Sequence, residues 1–222
     1  MDDLIDALKL GYLINNPDAV WERFVQHVQL TGTALAIALL IAVPIGLLLT
    51  RVRSLEAPVM SVLNVLYTVP SLALLILLLP FLGLGERLAI TVLVIYAQVI
   101  LVRNIVVGLN SVDRGVVEAA RGMGMNGWQR LVRVELPLAL PVIIAGVRIA
   151  TVTTIGIAIV AGLVGAGGLG RLLFEGISRA NAAGQGRIVA GALGAALLAA
   201  IANVLLRLVE RQSTRAIRGD EA

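Results

Sequence analysis

One residue pattern in this chain has the form of a nucleotide-binding turn, and its spacing tests it. Gly165-Ala166-Gly167-Gly168-Leu169-Gly170 satisfies the G-x-G-x-x-G of a dinucleotide-binding turn. That turn needs a strand before it, a helix after it and an acid about 20 residues on. Here it follows a long apolar segment, and no acid sits near position 190. Gly165, Gly167, Gly168 and Gly170 are better explained as flexible backbone at the outer membrane face, where glycines allow turns and close packing. A G-x-x-x-x-G-K-[ST] loop is absent, as are a Ser/His/Asp set, a metal-ligand cluster and paired acids. The single histidine, His27, cannot build a metal site alone, and at a helix boundary it is expected to be solvated. Without cysteine there is no disulfide or thiolate chemistry. The expectation is a chain with no catalysis, metal or bound cofactor of its own.

What remains is a polar, glycine-punctuated insert between very apolar segments: Glu118-Ala119-Ala120-Arg121-Gly122-Met123-Gly124, then Val134-Glu135-Leu136-Pro137. A membrane span has no use for it, but a soluble partner gripping a membrane protein does. Val112–Leu136 reads as two short helices joined by a glycine hinge, with Gly122 and Gly124 letting the chain reverse. Trp128, Leu131 and Val132 form an apolar face that fits a groove in a partner. Glu118 offers a carboxylate to a basic residue there.

The elements around the insert follow from composition. Of 222 residues, 59% are hydrophobic and 14% charged, too apolar for a soluble domain of this length. Five stretches reach the roughly 20 residues of a spanning helix: Val28–Thr50, Pro58–Leu82, Leu88–Leu109, Leu138–Ala161 and Ile188–Leu208. They lack the alternation of a membrane barrel, so the expected fold class is an all-α integral membrane protein of five transmembrane helices. Residues 1–26 are a short amphipathic lead-in, 27–211 the membrane domain with the loop at about 112–137, and 212–222 a tail. The N-terminus opens with Asp2, Asp3 and Asp6 rather than a basic signal-peptide region, so the first span is expected to direct insertion.

The net charge of +4 would suit nucleic acid, but its distribution argues otherwise. With the N-terminus outside, the inner segments hold eleven basic residues and the outer segments six, with Arg148 inside the fourth span. Positively charged loops stay cytoplasmic, so the count favours N-out, C-in and puts Glu118 in the cytoplasm. Arg103, near an inner end, can snorkel to the interface.

Within the spans, Tyr67-Thr68-Val69-Pro70-Ser71 holds polar atoms at a proline break. Pro70 removes a helical hydrogen bond and disfavours helix at Val69, giving either a cavity-lining bend or a kinked packing helix. The fourth span carries a small residue at every fourth position, Gly146, Ala150, Thr154, Ala158 and Gly162. This face suits close packing within the chain or a seam between copies. Thr153 and Thr154 offer hydroxyls near mid-depth. Arg148, about 16 Å into its helix, is either functional or satisfies carbonyls at a break.

From about His27 to Arg211 the chain resembles the permease subunits of type I ABC importers, and among them the osmoprotectant permeases for glycine betaine, choline and carnitine. The motifs are Val69-Pro70-Ser71-Leu72-Ala73, Arg103-Asn104, Glu118 to Met125, Glu135-Leu136-Pro137-Leu138-Ala139-Leu140-Pro141, Ala145-Gly146-Val147-Arg148 and Gly165 to Gly170. Methionine-type permeases are near neighbours. In that class the Glu-Ala-Ala loop docks on the ATPase: three residues, Gly124, nine residues, an apolar position taken here by Val134, any residue, then Leu-Pro. The resemblance implies that Glu118, Ala119, Ala120, Gly122, Gly124, Trp128, Leu136 and Pro137 couple to ATPase subunits, which use ATP and Mg. It further implies a second permease copy or a similar paralogue, an extracytoplasmic solute-binding protein and a bacterial cell membrane. The pathway is expected near Tyr67, Thr68, Pro70, Ser71, Asn104, Arg148, Thr153 and Thr154. Tyr67 stands where the family usually has Gln, and the proline that often precedes Arg-Asn in relatives is absent. Rival readings are an amino-acid permease of the same class, a passive channel and a non-transporting scaffold.

Overall fold

The computed structural model describes residues 9–179 and 181–218, and its described residues contain helices and no strand. Asp2, Asp3, Asp6 and the last four residues of the tail lie outside that range. Helix α1 (Gly11–Asn15) leads into α2 (Pro17–Arg51). Pro17 starts α2, where its missing N–H costs nothing, so residues 17–26 belong to the same helix as the first span. A tight turn at Arg53–Leu55 leads to α3 (Glu56–Thr68) and α4 (Ser71–Leu82). Then come α5 (Glu86–Asn110), α6 (Arg114–Gly122), α7 (Gly127–Arg130), α8 (Leu136–Ala161), α9 (Gly168–Arg179) and α10 (Ala182–Arg218).

Four helical stretches are long and apolar enough to cross a membrane, beginning with α2, α5, the stretch Gly127–Val164 and α10. The fifth expected span is a pair, α3 and α4, bent by 98°. Val69 (ψ 127°) and Pro70 (ψ 136°) are extended at the break. Pro Cδ disfavours helix at the residue before it, and here, with Val69 extended, the expected bend at Pro70 becomes a corner.

Helix α5 is the most enclosed element, with Leu88, Val92, Leu93, Leu101 and Val102 buried. It packs between α2 and α8 through small residues. Gly46 of α2 receives Ile105, and Gly146 of α8 lies on the Asn104 side chain. Ala150, Thr154 and Ala158 are buried on the same face of α8. Gly162 at its end meets the backbone of Gly170 and Arg171, and Gly170 meets the Ile159 carbonyl. The small-residue stripe is therefore spent on packing within the chain.

Two expectations fail here. His27 is not solvated: it is fully buried. Its Nδ1 faces the Leu169 N–H at 3.3 Å and its Nε2 the Ile155 carbonyl at 3.1 Å. A nitrogen accepting from an amide carries no proton, so the neutral Nε2–H tautomer fits both bonds. Next to it Gln26 Oε1 accepts from Gly168 N at 3.2 Å and from Arg23 at 2.8 Å. The ring pins α2 to α8 and α9 at the glycine-rich end. Nor are the short helix expected to end at Leu136 and the span expected from Leu138 separate helices. Leu131–Glu135 is a π-turn in which Leu136 N–H bonds to Leu131 O, so the helix runs on from α7 into α8. Pro137 lacks an N–H and its ring crowds the carbonyl four residues back; a wider turn accommodates both.

Replacing His27 by Ala strands a buried amide and a buried carbonyl, each worth about 1–3 kcal/mol, so the unfolding temperature of the purified protein in detergent should fall clearly. Gly170→Ala drives a methyl into the Ile159 carbonyl and should destabilise by about 1–3 kcal/mol. In the same assay Gly11→Ala, where a methyl meets nothing, is the control.

Candidate functional site

At the end of the bundle opposite the glycine-rich turn, α6, α7 and the π-turn form a rigid cap. Asp113 caps α6, its carboxylate accepting from Val116 N at 3.1 Å. At the other end Gly124 N bonds to Arg121 O and Met125 N to Ala120 O, with Gly124 at φ +80°. This is the Schellman stop, which requires a left-handed residue at that position. Asn126 then opens α7 with a full capping box: its Oδ1 accepts from Gln129 N while Gln129 Oε1 accepts from Asn126 N. Arg130 Nε closes on Glu135 at 2.5 Å across the π-turn. The reversal expected of the glycines is made by Gly124, whereas Gly122 is the last residue of α6.

The cap turns apolar surface outward. Met123 is 71% and Trp128 68% exposed, and Val116, Val132 and Leu136 are exposed beside them. Leu131, expected on the outer face, is buried and anchors the cap to the bundle. Glu118 and Ala119 are exposed while Ala120 is buried. Among the described residues Glu118 makes no ion pair. It borders a cavity of about 870 Å³ lined by Arg51, Arg53, Arg114, Arg121 and Arg130 with Glu56 and Glu135. Five guanidiniums against three carboxylates, Glu118 included, leave the cavity positive.

The expected pathway residues separate into two groups. Tyr67, Thr68, Pro70 and Ser71 gather at the α3–α4 corner, Tyr67, Thr68 and Pro70 exposed and Ser71 half-buried. Tyr67 and Tyr96 of α5 pack edge to face, ring centroids 5.7 Å apart. Asn104 and Thr154 instead lie in the α5–α8 contact and the buried face of α8, and Thr153 beside Thr154 is half-buried. Arg148 satisfies no helix break: its Nε meets Glu210 Oε2 at 2.9 Å and its guanidinium Asn203 Oδ1 at 3.1 Å, tying α8 to α10. Ser61 and Asn64 were not singled out from sequence, yet they lie on the same side of α3 as Thr68, and Arg103 donates to Asn64 Oδ1 at 3.1 Å. Their i, i+3, i+7 spacing was the available signal.

At the far end Gly165, Gly167 and Gly168 take positive φ, and Gly170 lies in α9 against α8. On α9 a hydrogen bond from Arg171 holds the Glu175 carboxyl below its ordinary range. No group of three or more potential metal ligands is found among the described residues.

Comparison with known proteins points to one family. Residues 38–215 match the family model described as binding-protein-dependent transport system inner membrane component. A carnitine transport permease protein of Listeria monocytogenes is 37% identical over 209 residues, covering 93% of both chains. The glycine betaine/carnitine/choline transport system permease protein of Bacillus subtilis is 36% identical over 205 residues, covering 92% of this chain and 93% of its own. The structure also superimposes on a chain of the MetNI methionine ABC transporter in an inward-facing conformation, with a TM-score of 0.77 and 26% identity over 86% of this chain and 94% of that one. The chain thus belongs to the binding-protein-dependent transport system inner membrane components, a family of multi-pass membrane permeases.

Proposed function

We propose that this chain is the permease subunit of an ATP-driven importer that translocates a small trimethylammonium osmoprotectant such as glycine betaine, choline or carnitine. The observation that carries the reading is the capped loop from Asp113 to Glu135: a rigid knob with Trp128 and Met123 turned out and Glu118 unpaired among the described residues. Exposed aromatic and methionine side chains on a rigid knob have the composition of an interface core. Gly122 has an ordinary helical backbone, and a methyl added there meets nothing in this chain, so nothing within the chain requires its small size. An ATPase subunit is the occupant. Glu118 pairs with a basic residue of that subunit, ATP and Mg belong to it, and its closure swings the knob and shifts the spans between two access states. The remaining partners are a second permease copy, identical or paralogous, and an extracytoplasmic binding protein. The excess of arginine at the knob end supports a cytoplasmic knob and a glycine-rich turn outside.

The solute class rests on the relatives named for carnitine, choline and glycine betaine, which match nearly the whole chain. The likeness to the methionine transporter makes methionine the competing solute. Vesicles containing the chain with the ATPase and binding protein encoded beside it should accumulate labelled glycine betaine only with ATP. Accumulation of methionine alone would keep the importer and discard the osmolyte, and uptake indifferent to ATP would favour a channel.

Gly124→Trp combines left-handed strain with a bulky group on the docking face. It should insert normally in the membrane yet lose at least about tenfold in ATP-driven uptake, about 1.4 kcal/mol of coupling. Wild-type uptake by that variant would remove the loop from the coupling role.

A further inference from the structure

Helix α3 has no buried residue, and its polar side chains share one stripe. Ser61, Asn64 and Thr68 stand at i, i+3 and i+7, with Tyr67 beside them, and all four are exposed. Ser61 and Thr68 turn their hydroxyls back onto the Ala57 and Val65 carbonyls, but hydrocarbon is a poor neighbour for Asn64 with the Arg103 guanidinium docked on it. Water or a second copy is the suitable one. The stripe ends at the Val69–Pro70 corner, where the Tyr96 hydroxyl donates to the Val69 carbonyl. That bond fixes the Tyr96 ring, itself only 5% exposed, against Tyr67, which is 41% exposed. Tyr67 is therefore an exposed aromatic ring packed edge to face on a braced neighbour at the end of a polar stripe.

Glycine betaine, carnitine and choline share one group, a trimethylammonium. It has no hydrogen to donate, so hydroxyls and amides cannot hold it by hydrogen bonds, whereas an aromatic face attracts it. Arg103, docked on Asn64 one turn before Tyr67 in α3, repels a cation. Along the stripe the attraction is concentrated at the tyrosine pair.

We propose that Tyr67, braced by Tyr96, is a transient cation–π station for the trimethylammonium group as the solute passes the α3–α4 corner. The proposal rests on the osmoprotectant reading above and adds to it a residue of this chain that senses the cation. One ring holds the cation weakly, which suits a station that must also release its occupant.

The test uses the assembled transporter in vesicles, with saturating glycine betaine-loaded binding protein and excess ATP. Tyr67 is replaced by Phe, then by phenylalanines carrying one, two and three ring fluorines, and separately by Leu. Fluorine withdraws charge from the ring face while nearly preserving its shape. Uptake should fall stepwise with fluorine number, reaching about 3- to 10-fold below the Phe variant, with Leu equally low. Tyr96→Phe, which loses the bond to Val69, should reduce uptake by a smaller factor. If the Leu variant fails to assemble, the fluorinated series alone decides. Uptake that is flat or rises across the series while the wild type transports overturns the station and leaves the osmoprotectant reading intact. A wild type that moves no trimethylammonium solute with ATP overturns both.

Discussion

Two helices can approach only as closely as their side chains allow, and the bundle depends on one helix that has almost removed them. On α8, Gly146, Ala150, Thr154, Ala158 and Gly162 leave a shallow face. With no hydrophobic drive between helices inside a bilayer, contact of this kind holds spans together. Asn104 of α5 lies in the groove at Gly146, and the Gly170 backbone of α9 lies against Gly162. Two polar clasps complete the work: His27 closes the glycine-rich end, and Arg148 with Glu210 and Asn203 fixes α10 to α8.

The two ends of the molecule solve opposite problems. At the glycine-rich end polar groups are turned inward onto partners within the chain: ring nitrogens to backbone, glutamine to a glycine amide and an arginine. At the loop end they are satisfied only as far as needed to hold the knob's shape. Asp113, Asn126 and Gln129 cap the helices, while Glu118 and most of the cavity arginines have no ion pair among the described residues. Trp128 and Met123 would be poor choices for a surface facing only water. Together these features distinguish a finished interior from an exposed surface that is both apolar and charged.

Much of this was legible in the sequence because it is local. The spans are runs of apolar residues, the small-residue face repeats every four residues, and the loop announces itself by Glu118-Ala119-Ala120 and Gly124. Pro70 signalled a break, although the size of the bend depends on what α4 packs against. The clasps were not legible. His27 meets Leu169 across 142 residues and Arg148 meets Glu210 across 62, and periodicity does not identify the partner of an isolated polar residue. Asn104 and Thr154 look like pathway residues by type, but burial against α8 and within its packed face is a tertiary fact. The π-turn is hidden for a related reason. Pro137 says that the ladder is disturbed, not whether the helix stops or widens.

That widened turn has a mechanical consequence. Because Leu131–Glu135 stays helical, Gly127 to Val164 is one unbroken rod, roughly 57 Å long at 1.5 Å per residue. One tip carries Trp128, and the other ends beside Gly170 and the His27 clasp. A hinge at Leu136-Pro137 would have absorbed a push on the knob as local bending. A continuous helix instead ties the position of Trp128 to that of the Gly170 end.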